Sequence, residues 1–325
     1  HQYVKARRKH IVELVQRVKP VIGIRNALSF FDISVSTFRQ WCLETQAECF
    51  QSAFGTCNRI YQNQLSRTEV VKMKEKLTSL DFRYWPVSSI AYYALRHNVL
   101  PVSLNTWYKY ARKLGISRTK ALSRRKKNAQ SVRAVRPHEI WHADVTEFTT
   151  DDGVRNYIYL VADNYSRKIL TWLVAPKVKA DFRRVTIVNA LSELTTSTPV
   201  TLITDCGPEN SLVELIRSVP MEINHQKALL DVHYSNSLIE AHNKLLKYNY
   251  LYNMTVRDPN HLNETLRWVI ADYNNRPHVS LDGLTPNEAC ENKLINKQEL
   301  SLHIQRATKK RKILNQVDRC DHCKE

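Results

Sequence analysis

The sequence predicts an α/β protein whose mixed-sheet core is preceded by two all-α helix pairs, and three observations predict it. First, the net charge of +18 is unevenly spread: residues 1–136 carry 26 Lys and Arg against 7 Asp and Glu, residues 137–325 carry 23 against 24. Second, β-branched and aromatic runs begin only after Pro137. Third, beyond Val174 short apolar runs alternate with helix-length amphipathic stretches, the pattern of a sheet with helices on its faces. With 325 residues, 43% of them hydrophobic, the chain can bury more than one core. The expected segments are 1–60, 61–115, a basic linker at 116–136, the core at 137–290 and a basic tail at 291–325.

Composition also excludes classes. No apolar run reaches the roughly eighteen residues of a membrane-spanning helix, and the opening HQYVKARRKH has no apolar stretch. A cytoplasmic protein without a membrane partner is expected. The cysteines (Cys42, Cys49, Cys57, Cys206, Cys290, Cys320 and Cys323) are odd in number and scattered, which reads as reduced thiols. A basic half joined to a near-neutral half fits a polyanion-binding module attached to something that assembles carboxylates.

Within the basic half, VIGIRNALSFFDISVSTFRQWCL (21–43) reads as helix, turn at Asp32–Ser34, helix, with Ser34 as N-cap. Ile24, Leu28, Phe31, Val35 and Phe38 can pack as one stripe, which leaves Arg39 and Gln40 outward. That is a helix-turn-helix pattern with side chains suited to base edges and phosphates. WPVSSIAYYALRHNVLPVSLNTWYKYARKLGI repeats the idea: Pro86 opens one helix, Asn98–Val102 turns, Ser103 caps the next and Gly115 ends it. Asn105, Lys109 and Arg112 are the exposed DNA-contact candidates there. Each pair alone reads equally well as a plain structural bundle. The segment 116–136, with the run Arg124, Arg125, Lys126, Lys127, reads as a linker lying along a phosphate backbone or as a solvated tether.

The core opens with three strand runs, 139–148, 156–165 and 168–174, broken by Asp151–Gly153 and Ser166–Arg167 and read as an antiparallel meander. A helix from about Asp181 to Thr195, a strand at 199–204, a helix near Ser211–Val219 and a strand at Met221–Asn224 follow. Helices from about Leu238 to Tyr250 and from His261 to Tyr273 complete it.

Three acids in this core are the candidate site. Asp144 sits mid-strand on one face with Ile140, His142, Thr146 and Phe148, where a carboxylate is costly unless paired or metal-bound. Asp205 ends a strand, the place where ligands gather in open α/β sheets. Glu240 shares a helical stripe with Asn243, Lys244 and Lys247, with Leu238, Ala241, Leu245 and Tyr248 expected on the buried side. Converging carboxylates favour Mg2+ or Mn2+ over zinc, and two such ions serve in-line attack on a phosphodiester. Read residue by residue, composition alone favours a buried structural acid, a turn residue and a surface charge.

WHADVTEF with Asp144, TDCGPEN with Asp205 and NSLIEAHNKLLK with Glu240 resemble the three signatures of the retroviral-integrase-like (Asp-Asp-Glu) transposase superfamily, especially its bacterial insertion-sequence members. ADNYSRKILTW (162–172) resembles the second and third strands of that family, and YNNRPHVSLDGLTPNEA (273–289) its C-terminal signature. The two helix pairs are similar to its end-binding region. The resemblance runs over about 21–290 and implies a ribonuclease H-like core. It implies that Asp144, Asp205 and Glu240 are catalytic and hold two Mg2+ or Mn2+ ions, with Lys247 as the basic residue one stripe beyond the glutamate. It further implies a transposase that binds the terminal repeats of a mobile element, frees a 3′ hydroxyl and joins it to target DNA as a homo-oligomer, a dimer or tetramer, in a bacterial nucleoid.

Asp205 and Glu240 enclose 34 residues, one fewer than the common family spacing, a difference a loop absorbs. Glu209 and Asp231 are weaker alternatives off the Lys-bearing helix, and His225 and His233 read as structural or surface residues. A transposase-derived DNA-binding regulator without catalysis and a ribonuclease H-type nuclease remain as rival readings. At the end of the chain, Cys320, His322 and Cys323 form half a zinc site at most, so a disordered or partner-bound tail is expected.

Overall fold

The computed structural model describes residues 7–46, 62–116, 118, 132–194, 199–205, 222–227 and 237–317. The run Arg124–Lys127, the helix expected near Ser211–Val219, Glu209, Asp231, His233 and the Cys320–Cys323 motif lie outside these residues. The chain forms two compact units: the described residues of 1–76, 98–103 and 298–325 make one, those of 77–97 and 104–297 the other. Among the described residues no helix is long and apolar enough to cross a membrane.

In the first unit α1 (Arg8–Ile22) ends at Gly23, whose φ of 77° is open to glycine and strained for other residues, and α2 (Ile24–Ser29) starts directly after it. The expected first helix therefore begins at Ile24 rather than Val21. α3 (Val35–Gln46) is capped as expected, with the Thr37 N–H donating to Ser34 Oγ at 3.1 Å. Leu28 and Phe38 are buried with Ile11, Val12, Val15, Ala27 and Trp41, and Ile24, Phe31 and Val35 pack against them. α1, which the sequence reading did not single out, supplies three of these residues. Arg39 and Gln40 are exposed on α3. In α4 (Arg67–Thr78) Ser66 and Glu69 form a reciprocal cap, at 3.3 Å and 3.0 Å.

The second unit starts with two packed helices, α5 (Val87–Arg96) and α6 (Leu104–Lys113), of which α5 begins at Pro86. Gly115, at φ 69°, closes α6 while the Ile116 N–H reaches back to Ala111 O at 3.0 Å. Asn105, Lys109 and Arg112 are exposed. The linker is partly tied down. The Arg118 guanidinium is spent on the carbonyls of Leu77, Phe82, Arg83 and Trp85, not on solvent. Its far end is held by Asn164, which accepts from the Ala134 N–H at 2.9 Å and donates to Val132 O at 3.2 Å.

The sheet comprises β1 (Ile140–Thr149), β2 (Arg155–Asp163), β3 (Ile169–Ala175), β4 (Val200–Thr204) and β5 (Ile223–Lys227) in the order β3-β2-β1-β4-β5. The first three form the antiparallel meander expected from the sequence, and β4 and β5 add in parallel. The crossover from β3 to β4 runs through α7 (Ala180–Ser192), whose Ile187 and Ala190 bury Trp141, Ala143 and Val161 on one face. α8 (Ser237–Leu245) and α9 (Pro259–Asn275) cover the other face, packing Ile239, Leu262, Leu266 and Ile270 against Phe148, Ile158 and Leu160. Between the two helices the α8 backbone loosens into a π-turn at Leu246–Tyr250.

The stretch 273–289 proves to be a clasp. Asn274 bonds both backbone groups of Ile169, at 3.1 Å and 2.9 Å. Arg276 is 2% exposed and donates to Tyr250 OH at 2.8 Å. The short α10 (Pro286–Cys290) is closed by a Thr285–Glu288 capping box, and Glu288 takes a bidentate pair from Arg96 at 2.8 Å and 2.6 Å. Gly283, at φ 97°, lies so close to the Tyr92 ring that a Cβ there would fall inside it.

Where a tail is expected, residues Lys297–Val317 form the helix α11. In the first unit its Arg311, 5% exposed, donates to Glu69 at 2.8 Å and to Pro101 O at 3.1 Å, and Asn315 bonds Gln62 O and Gln64 O. Charged and amide side chains order this helix, which is why its weak apolar pattern reads as a tail.

Candidate active site

Register brings the first two acids together. Ala143 pairs with Thr204 across the parallel β1–β4 ladder, so the next residues, Asp144 and Asp205, stand side by side at the carboxyl end of β4. Neighbouring strands lie about 4.8 Å apart, which sets the order of that separation. On its other side Asp144 pairs with Leu160 of β2. α8 crosses the same face, and its Asn243 donates from Nδ2 to Asp144 Oδ2 at 2.7 Å. Glu240 is one turn earlier on α8.

The electrostatics follow from this crowding. Burial pushes the Asp144 carboxyl up to about 6, the Val145 N–H and Arg183 oppose the shift, and Asp205 and Glu240 both add to it. Asp205 and Glu240 thus both bear on Asp144. Each also has a protein partner: Asp144 has Asn243, Asp205 has Arg183 Nη1 at 3.3 Å, and Glu240 has Lys244 Nζ at 3.5 Å. Among the described residues no three His, Cys, Asp or Glu side chains lie close enough to ligate one ion. Lys247 is partly buried; desolvation lowers its basicity, and nearby Glu147 and Asp144 restore part of it.

Three residues were missed or misassigned in the sequence. Arg183, 2% exposed, enters from α7; Arg183, Thr186, Ile187 and Ala190 are its buried residues, an i, i+3, i+4, i+7 stripe that could have revealed it. Asn243 was placed on the correct stripe but given no partner. The buried residues of α8 are Ile239, His242 and Asn243, with Leu246 following in the π-turn, whereas Ala241 and Tyr248 are exposed, so the expected Leu238, Ala241, Leu245, Tyr248 face is corrected. The misreading came from His242. It is 3% exposed, with Nδ1 at 2.9 Å from Leu238 O and Nε2 at 2.9 Å from Arg167 O and 3.0 Å from Tyr273 OH, so a polar residue occupies a core position. His225 is structural as expected, 3.0 Å from Thr204 Oγ1.

Residues 134–228 match the family model described as Integrase core domain. Residues 232–286 match a second model of the same description. The five-stranded mixed sheet with its flanking helices matches a ribonuclease H-like fold. Among solved structures the chain is similar to one from the simian T-cell lymphotropic virus intasome in complex with PP2A regulatory subunit B56 gamma, at 16% identity and a TM-score of 0.44 over 58% of this chain and 67% of that one. It is also similar to the HTLV-2 integrase catalytic core domain in complex with magnesium, at 18% identity and a TM-score of 0.38 over 49% and 99%. For the BIV integrase catalytic core the values are 17% and 0.36 over 48% and 95%. No curated protein sequence matches the chain.

Proposed function

We propose that the chain is a DNA transposase in which Asp144, Asp205 and Glu240 are the catalytic carboxylates and hold two Mg2+ or Mn2+ ions. The observation that carries this reading is the β1–β4 register that sets Asp144 beside Asp205, with α8 tied to Asp144 through Asn243, one turn from Glu240. Clustered oxygen donors whose charges oppose one another, with no thiol among them, suit hard divalent cations. When bound, such ions activate the attacking oxygen and stabilise the leaving one in phosphodiester cleavage and joining. Asp205 and Glu240 would hold the ions in competition with their ion pairs to Arg183 and Lys244. Asn243 holds Asp144 in place meanwhile. Lys244 and Lys247 serve the DNA backbone beside the cut.

DNA is brought to the core by the basic half. Arg39 and Gln40 of α3 and Asn105, Lys109 and Arg112 of α6 are the contacts of two helix-turn-helix pairs with the terminal repeats. Arg124, Arg125, Lys126 and Lys127, in the stretch between the second helix pair and the core, are the candidate phosphate contacts there. Two ends must be held together for joining, which calls for a homo-oligomer.

The test is to incubate the full chain with duplexes carrying the terminal sequences of its own element and Mg2+, and to map new 3′ ends. A metal-dependent cut at the element boundary is expected. Tight end binding without a cut at any divalent ion would make the protein a DNA-binding regulator instead.

A further inference from the structure

Two tyrosines follow Glu240 on the chain, Tyr248 in the π-turn that continues α8 and Tyr252 just beyond it. Tyr248 and Tyr252 are 56% and 57% exposed, although aromatic side chains of this size usually bury most of their surface. Their rings meet edge to face, with centroids 5.2 Å apart and planes at 72°, and Phe148 flanks Tyr252 at 5.9 Å. The pair forms an L-shaped aromatic surface that is more than half exposed. Its position ties it to the acids. Tyr248 continues the helix that carries Glu240, and Phe148 lies on the strand that carries Asp144. At the α-helical rise of 1.5 Å per residue the eight residues from Glu240 to Tyr248 span at most about 12 Å, less through the π-turn, on the order of three base steps of 3.4 Å.

Charge selects the occupant. Lys244 and Lys247 precede the platform on the same helix and favour a polyanion over a second apolar surface. A duplex shows only base edges in its grooves, whereas an unpaired base presents a full π-face. We infer that Tyr248 and Tyr252 stack an unpaired base of the DNA a few nucleotides from the scissile phosphate, making this a single-strand subsite next to the acids. The inference rests on the proposed action on DNA.

The experiment measures fluorescence anisotropy in EDTA, so that no cleavage intervenes. It compares a labelled duplex ending in a single-stranded oligothymidine tail with the same duplex ending in an abasic tail. Phosphate contacts are common to both probes, so the affinity ratio isolates the bases. The wild-type chain is expected to prefer the thymidine tail roughly 5- to 150-fold, the equivalent of about 1–3 kcal/mol of stacking. Tyr248→Ala with Tyr252→Ala should bring the ratio near one, and Tyr248→Phe with Tyr252→Phe should keep it, because the ring and not the hydroxyl stacks. A wild-type ratio of one overturns the inference while leaving the DNA-cutting reading intact. An unchanged ratio in the alanine pair overturns it too, as does an unchanged ratio accompanied by loss of self-association, which would make the platform a contact between copies. If neither probe binds, the DNA-cutting reading falls and the inference with it.

Discussion

Asn243 donates a hydrogen bond of 2.7 Å to Asp144, a polar tie between α8 and the central strand that adds to the apolar packing of Ile239. It sets where Glu240, one turn back, meets the strand acids. An amide is suited to the task because it donates to an ionised carboxylate without adding charge to a crowded anionic spot.

Asn243→Ala should therefore leave the fold and lower the rate of end cleavage roughly 10- to 100-fold at limiting Mg2+, the usual cost of removing a group that orients a metal ligand. Titrating Mg2+ at saturating DNA checks it. A rate equal to wild type at every metal concentration would remove Asn243 from the site.

Arg183 and Asp205 make a second link, from α7 to the end of β4. Because the guanidinium is buried and the carboxylate half-exposed, the two partners are not equivalent. Asp205→Ala strips a charged acceptor from a buried cation and should cost about 1–3 kcal/mol in urea unfolding. Glu240→Gln, which breaks only an exposed i,i+4 pair with Lys244, should cost less than about 0.5 kcal/mol. Equal losses would contradict the assignment of Arg183 as a structural anchor.

The clasp at 273–289 has a pH signature. The Arg96 fork holds the Glu288 carboxyl down at about 2, well below the usual 4.5. A depressed carboxylate contributes stability that is present above its unfolded value and is lost as pH falls through the folded one. Glu288→Gln should lower the melting temperature most at neutral pH, and the gap to wild type should close between about pH 4.5 and pH 2. A gap independent of pH would mean that packing, not the ion pair, holds α10.

Recognition is tested at Arg39, exposed on α3. If it reads a base, Arg39→Ala should cost about 1–3 kcal/mol on the cognate end and less on random duplex, measured by competition binding. Equal losses on both would make it a phosphate contact.

How much of this was legible in the sequence varied with the kind of signal. The meander, the Ser34 cap, the Pro86 start and the Gly115 stop follow local rules and could be read directly. Asp144 and Asp205 were legible because each breaks a pattern: one is a charge inside an apolar strand, the other ends a strand. The buried face of α8 was not, because His242 is a polar residue satisfied by partners on other elements, and periodicity counts it as surface. α11 was missed for the same reason, since Arg311 and Asn315 order it through groups more than two hundred residues away.

The central claim is that Asp144, Asp205 and Glu240 form one catalytic site. It is tested most directly by measuring cleavage of a duplex end by Asp144→Asn, Asp205→Asn and Glu240→Gln, singly and in pairs, at matched DNA occupancy. Each single variant should bind the end nearly as wild type does and lose cleavage. The pairs should lose no more than the singles, since all three act as a unit. Wild-type cleavage by any one variant, or losses that multiply in the pairs, would contradict the account.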